Sequence, residues 1–550
     1  MPVRRDPIGS WLPTTIMLGV AFIGARLGLH ALLPLALTGD EAQYWDWSRR
    51  HELSYYTKGP GVARAIELAE GAIGWAAPKS GVAEWIVRAP SAVALVLTML
   101  ALAGFAWRAT GRARIAIAAG ALVVVVPAYQ LTAAFATIDM PYIACWALSA
   151  WLAWEVIDRW RRGRHAPILA IALGAVLAVG FLFKFTILLL PVGLVAYALI
   201  DRVRPRLSDL GLGLIVFAYI ASDVALWNAQ HDWPTVAHLL GHLHVEGGDI
   251  APPPGDDGGP SYSPLWTLEF LALQLAAAGP VLALIALALR RRLDPLDRFC
   301  VVAALPIFAM YLGATFFSPS EANWPIAGYI TVLIPVARIL PRELRRQRRR
   351  LAHWRTDSRP ARERPKAGIL RRAPETPAQI AWHWSIGAGV IGFAIPVIAV
   401  VATHIPALAG NALVRRVSEP RALAAAVYAV ALGVEHDTGH PPAIIANRYT
   451  RTGTLAYYVP GMPSVSCGSA WLGDRASAYD YFEDTRLDRE GLAGRPAILV
   501  GSSGASWAEA LGIDEPVRWS DRFEIYVTPS FPSLPTRVPA ITASTETGDD

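Results

Sequence analysis

The chain is poor in cysteine, in lysine and in charge. Its three cysteines, Cys145, Cys300 and Cys467, have no metal-ligand spacing and form no disulfide framework. A structural zinc module and a disulfide-stapled secreted domain are therefore excluded. Charged residues are 17% of the 550 positions and hydrophobic residues 54%, whereas a soluble protein carries about 25% charge. No Gly-rich nucleotide-phosphate loop and no internal repeat is visible. Only four lysines occur, Lys58, Lys79, Lys184 and Lys366, against 46 arginines. The basic balance is not a nucleic-acid footprint, because the arginines sit in short loops between apolar runs, where they set topology.

Those runs are what the chain has in abundance. About 20 apolar residues cross a bilayer as a helix, and the sequence divides into about eleven candidate spans. They are Trp11–Leu37, Glu84–Trp107, Ile115–Gln130, Tyr142–Ile157, Pro167–Ile200 split in two near Lys184, Leu207–Trp227, Leu265–Leu289, Phe299–Phe317, Ile326–Leu340 and Trp382–Ile405. The fold class is a polytopic α-helical membrane protein. The basic N-terminal residues resemble a signal-peptide n-region, but the run after them is too long for one and reads as a retained first helix. Residues 1–405 form the membrane domain, with a first external loop at 38–83 and a basic cytoplasmic linker at 341–380. Residues 411–550 alternate differently: Ala443–Ala446, Ala497–Val500 and Phe523–Val527 read as strands, Thr452–Tyr458 and Ala505–Leu511 as helices. This predicts a small C-terminal α/β domain.

Arginine clusters follow every even-numbered span, which puts those loops in the cytoplasm. The odd-numbered loops, and the C-terminal domain, then share the outer face. They hold Asp40, Lys58, Asp139, Lys184, His231, Glu321 and Asn323. Asp40 and Glu41 open a helix in Thr38-Gly39-Asp40-Glu41-Ala42-Gln43-Tyr44-Trp45, with Asp40 read as the N-cap; a helix N-terminus favours negative charge. Asp40 is then either a base or only a cap. Lys184 stands among apolar residues, where a cation is costly; it is functional or snorkels to the interface. Asp139 orients a cationic side chain, binds a divalent metal ion, or caps the helix before Pro141.

The one-sided set suits displacement at a lipid-linked phosphate. Asp40, Glu41 and Asp139 are the candidate catalytic acids and bases. Lys58, Arg88 and Lys184 are candidate phosphate contacts, through charge-assisted hydrogen bonds. Tyr55, Tyr56, Asn228, His231, Glu321, Asn323 and Trp324 are candidates for the sugar or acceptor. Against this, Trp227-Asn228-Ala229-Gln230-His231-Asp232-Trp233 is also the composition of an interfacial anchor, and Trp324-Pro325 that of a helix start. His231 has no partner ligand at regular spacing.

Asp40-Glu41-Ala42-Gln43-Tyr44-Trp45 followed by Tyr55-Tyr56-Thr57-Lys58-Gly59-Pro60 resembles the first external loop of bacterial dolichyl-phosphate-mannose protein mannosyltransferase-like proteins. Val87-Arg88-Ala89-Pro90-Ser91, Thr137-Ile138-Asp139-Met140-Pro141, Leu182-Phe183-Lys184-Phe185-Thr186, Trp227-Asn228-Ala229-Gln230-His231-Asp232-Trp233, Asn323-Trp324-Pro325 and Tyr449 to Pro460 extend the resemblance in the same order. The lipid A aminoarabinose transferases share this membrane fold, called GT-C. The resemblance implies a bacterial inner-membrane glycosyltransferase working on the periplasmic face. Its donor would be a polyprenyl-phosphate sugar and its acceptor a glycolipid, polysaccharide or protein hydroxyl. It implies Asp40 as base and Lys58 and Lys184 as phosphate contacts. Relatives often have Pro-Pro at Gly59-Pro60 and His at Asn323. The competing expectation is a transporter of the lipid-linked sugar that breaks no bond.

Overall fold

The computed structural model describes residues 6–77, 83–242, 247–249, 263–355, 376–408, 410–514, 516–520 and 522–536. Lys79, Lys366 and half of the linker at 341–380 lie outside these residues. Each of the eleven apolar segments contains helix. In chain order they are α1 Leu12–Leu32, then α2 Gly39–Ser48 and α3 Gly61–Ile73 in the first loop, and α4 Glu84–Thr110. Next come α5 Ala113–Val124, α6 Pro127–Ala134, α7 Asp139–Arg161, α8 Pro167–Phe183, α9 Leu189–Ile200 and α10 Leu207–Gln230. A short α11, Pro234–His242, precedes α12 Pro264–Ala278, α13 Val281–Leu289, α14 Pro295–Ala314, α15 Ala327–Arg355 and α16 Pro377–Thr403. Among the described residues six helices are long and apolar enough to cross a bilayer alone, and up to nine when bent pairs count as single spans. The chain is a multi-pass membrane protein.

Two expected single spans are bent. The third bends by 64° between α5 and α6, where Pro127 opens a new helix, and the eighth by 97° between α12 and α13. There Gly279 takes a left-handed φ of +59° and Pro280 follows, so the helix ends and restarts. The linker expected to begin at 341 starts instead as a continuation of α15 to Arg355. Ile330, Leu333, Ile334, Val336 and Ala337 on that helix are fully buried, which holds it through Pro335 and Pro341.

The C-terminal part adds α17 Ala412–Ser418, α18 Pro420–Thr438, β1 Ala443–Ala446, α19 Tyr449–Tyr458, β2 Ser466–Cys467, β3 Ala497–Val500, α20 Gly504–Leu511, β4 Val517–Ser520 and β5 Ile525–Thr528. The sheet order is β2-β1-β3-β5-β4, parallel through β3 and antiparallel beyond it. β1, β3 and β5 are buried along their length, and their apolar runs are what the sequence revealed. β2 has two residues and β4 is mostly exposed, so neither carries a run.

Helix α19 lies directly on α2. A Cβ on Gly39 would stand 2.5 Å from Thr450 Cβ, and one on Gly453 2.6 Å from the Gln43 nitrogen. Two glycines thus let the helices touch at backbone distance. Arg50 of the first loop grips Asp484 with two hydrogen bonds of 3.0 and 2.7 Å. Tyr458 accepts from the Leu37 nitrogen at 2.7 Å and donates to Glu84 at 3.1 Å. Trp45 and Tyr457 meet edge to face at 4.8 Å. The C-terminal part is therefore seated on the first loop.

Candidate active site

Thr38, not Asp40, caps α2. Its hydroxyl accepts from the Glu41 nitrogen at 3.4 Å and Glu41 returns a bond to the Thr38 nitrogen at 2.9 Å, a capping box. The correction follows from the hydroxyl's place one residue before the first helical residue. Asp40 is left in the first turn, exposed, with no hydrogen bond or ion pair to any described residue.

Glu41 points the other way, into the protein. Its carboxylate takes two hydrogen bonds from Arg88, at 2.8 and 2.9 Å, and one from the Ala136 nitrogen at 2.8 Å. Arg88 spends its other donors on the carbonyls of Leu35 and Ala36. Both residues are buried, Arg88 fully and Glu41 to 1% exposure. The pair cross-links the end of the first span, α4 and the loop before α7. The expected roles, Glu41 as a catalytic acid and Arg88 as a phosphate contact, would require this pair to open.

Asp139, Lys184 and Asn323 come together. Lys184 falls where α8 stops and a tight turn, Phe185–Leu188, leads into α9. Its Nζ donates to Asp139 Oδ1 at 2.8 Å and stands 5.7 Å from the Tyr142 ring centre. Asn323 Nδ2 donates to the second Asp139 oxygen at 2.9 Å. Asp139 is thus a bridge that orients Lys184. A metal ion at Asp139 would compete with both of these donors, and among the described residues no three His, Cys, Asp or Glu side chains group as ligands.

Lys58 reaches the same space from the first loop. Its ammonium lies 5.6 Å from the Tyr44 ring centre and has no carboxylate partner among the described residues. Burial pulls its pKa below the ordinary lysine value; Asp40 opposes this, while Arg475 and Lys184 add to it. Tyr44 stays protonated, since burial first, then Asp40 and Asp139, raise its pKa well above the usual phenol value. Gly59 explains the departure at this motif. A Cβ there would fall 2.5 Å from the Leu182 carbonyl oxygen, so glycine lets the Lys58 loop close onto the Lys184 turn.

Glu321 is exposed at the rim, within electrostatic reach of Lys184, Asp139, Asp40 and Lys58. Trp324 packs on Tyr311, with ring centres 5.2 Å apart. The remaining candidates are held by neighbouring protein groups. Tyr55 stacks on Trp47 at 4.4 Å and donates to the Trp47 carbonyl, closing the loop. Tyr56 is buried and donates to Asp249 at 2.6 Å. Asn228 accepts from the Thr235 nitrogen and donates to the Val224 carbonyl at the end of α10. His231 bonds the Trp227 carbonyl and stacks on the Trp227 ring at 4.3 Å, the anchor reading of that motif.

Two residues went unseen in the sequence. Tyr449, at the start of α19, lies close enough for Asp40 to act on its phenol. Arg475 lies over the Tyr449 ring at 5.7 Å. Tyr449 stood inside a motif already noted for resemblance, while Arg475 carries no local signal.

Residues 79–227 match the family described as dolichyl-phosphate-mannose-protein mannosyltransferase. The lipid A galacturonosyltransferase RgtD of Rhizobium johnstonii is 28% identical over 297 residues, 53% of this chain. The alignment spans 58% of RgtD, less than two thirds of its length. Two crystal structures of ArnT from Cupriavidus metallidurans superpose on nearly the whole chain at 16% identity. The apo form has a TM-score of 0.56 and covers 94% of this chain and 99% of ArnT. The form bound to undecaprenyl phosphate has a TM-score of 0.55 and covers 95% and 98%. The chain shares the membrane fold of ArnT, and its match to the mannosyltransferase family falls on the segment that carries Arg88, Asp139 and Lys184.

Proposed function

We propose that the protein is a glycosyltransferase that moves a sugar from a polyprenyl-phosphate donor to a hydroxyl on a glycolipid. The observation that carries this is the pairing of a free carboxylate, Asp40, with an unpaired ammonium, Lys58, in a space that Lys184 and Asp139 complete. The relatives support it: RgtD acts on lipid A, and one ArnT structure holds undecaprenyl phosphate. The acceptor hydroxyl gives its proton to Asp40 as its oxygen attacks the anomeric carbon from the face opposite the phosphate. The bond from that carbon to the phosphate oxygen breaks, the configuration inverts, and polyprenyl phosphate leaves. Lys58 and the two Lys184 protons not given to Asp139 meet its growing charge. Asp139 and Asn323 hold Lys184 in place. The chemistry takes place on the periplasmic face of the bacterial inner membrane, where a lipid-bound donor is the natural sugar source; the arginine-poor outer loops support this.

The test is the fate of the donor. Membranes containing the protein are expected to gain a glycolipid heavier by one sugar residue, with free polyprenyl phosphate formed in equal amount, both read by mass spectrometry. Donor that crosses the bilayer intact, with neither product, would make the protein a transporter instead.

A pH dependence follows from Lys58. Its depressed pKa means that the ammonium is lost at a lower pH than an ordinary lysine's, so kcat/KM for the donor is expected to fall on the alkaline side. Lys58→Arg keeps its charge there and is expected to shift this limb to higher pH. An unmoved limb assigns it to another group.

A further inference from the structure

Arg475 belongs to the C-terminal part, far along the chain from the first loop, yet its charge acts on Lys58 of that loop. The turn that aims it is built for the purpose: Gly473 adopts a left-handed φ of +85°, and Asp474 Oδ1 accepts from the Arg475 nitrogen at 2.7 Å. The guanidinium lies over Tyr449 on one side. On the other its Nη1 is 3.4 Å from His238 Nδ1. His238 is itself held by Asp249 at 2.9 Å, and the same Asp249 oxygen accepts from Tyr56 at 2.6 Å. Tyr449 precedes Thr450, the residue pressed against Gly39 beside Asp40. A wall of aromatic and hydrogen-bonded groups thus carries the guanidinium to the Asp40 end of the site.

There it meets a like charge. Arg475 and Lys184 both lie close enough to Lys58 for their charges to act on its ammonium. Cations held together in a half-buried space repel, and an anion between them removes that cost. A guanidinium is the side chain whose planar fork fits two phosphate oxygens at once, whereas an ammonium acts as a point charge.

We infer that Arg475 is a donor phosphate-binding residue, so that the C-terminal domain supplies part of the active site. This rests on the transferase reading above. Lys58 and Lys184 approach the phosphate from the membrane domain, and Arg475 closes on it from above.

The test is direct binding of undecaprenyl phosphate, with undecaprenol as the uncharged control, to the full-length protein in nanodiscs. Arg475→Met is expected to weaken undecaprenyl phosphate binding by about ten- to a hundredfold, the range for a hydrogen bond to a charged group. Undecaprenol binding is expected to stay unchanged, and Arg475→Lys to recover part of the loss. A structural role would lower both lipids together and is excluded by the control, with the melting temperature reporting on the fold. Wild-type binding by Arg475→Met, with Lys58→Met impaired, overturns this inference and leaves the transferase reading standing. Wild-type binding by both variants, with full transfer by an Asp40→Asn protein, removes the reading itself.

Discussion

Asp40→Asn is expected to lower sugar transfer by about 10²–10⁴-fold, the usual contribution of a positioned general base. The substitution keeps size and shape and removes the ability to take a proton. It is a clean experiment because of what Asp40 does not do. Thr38 and Glu41 cap α2 without it, Glu41 rather than Asp40 pairs with Arg88, and Asp40 is exposed with no partner among the described residues. The melting temperature and the C-terminal contacts are therefore expected to match the wild type, and undecaprenyl phosphate should still bind. Transfer is measured as labelled glycolipid formed in nanodiscs. Undiminished transfer by the folded variant would remove Asp40 from the chemistry and leave the cations without a base to serve.

The difference between Asp40 and its neighbour shows where sequence reasoning reaches and where it stops. Apolar run length fixed the helices, and the alternation of arginine put Asp40, Lys58, Asp139, Lys184 and Asn323 on one face. That grouping needs only parity, because a side of the membrane is a property of loops. The roles within the group depend on depth and direction. Arg88 lies in the first turns of α4, and whether it faces a cavity or the interior depends on contacts with residues 35, 36 and 41, which no periodicity encodes. The capping box was written in Thr38-Gly39-Asp40-Glu41 as a Ser/Thr-x-x-Glu pattern, and it identifies Thr38 as the cap and Glu41 as its partner. The aromatic candidates were ambiguous for a general reason: a tyrosine or tryptophan at an interface is amphipathic, and its polar tip is as readily used by a neighbouring carbonyl as by a sugar. Arg475 was invisible because its neighbours in space, Tyr449 and His238, come from other parts of the chain.

The second large effect is on stability. Arg88→Met is expected to destabilise the protein by about 3–5 kcal/mol, since removing one member of a buried ion pair leaves the other charge uncompensated. Here the stranded group is Glu41, with 1% exposure, and the carbonyls of Leu35 and Ala36 lose their donors as well. The loss falls on the joint between the first span and α4, so the first loop should loosen and the C-terminal domain seated on it should melt with it. Adding Glu41→Gln to Arg88→Met removes the stranded charge and is expected to recover part of the stability, a coupling that a double-mutant cycle measures. Lys58→Met gives the contrast, because a half-buried ammonium with no carboxylate partner among the described residues contributes little to the fold: its melting temperature should hold while lipid phosphate binding falls. Tryptophan fluorescence during denaturation separates the two cases. If Arg88→Met instead kept its stability and lost only phosphate binding, the guanidinium would belong to the donor site, and the inward-facing pair with Glu41 would not be its working state.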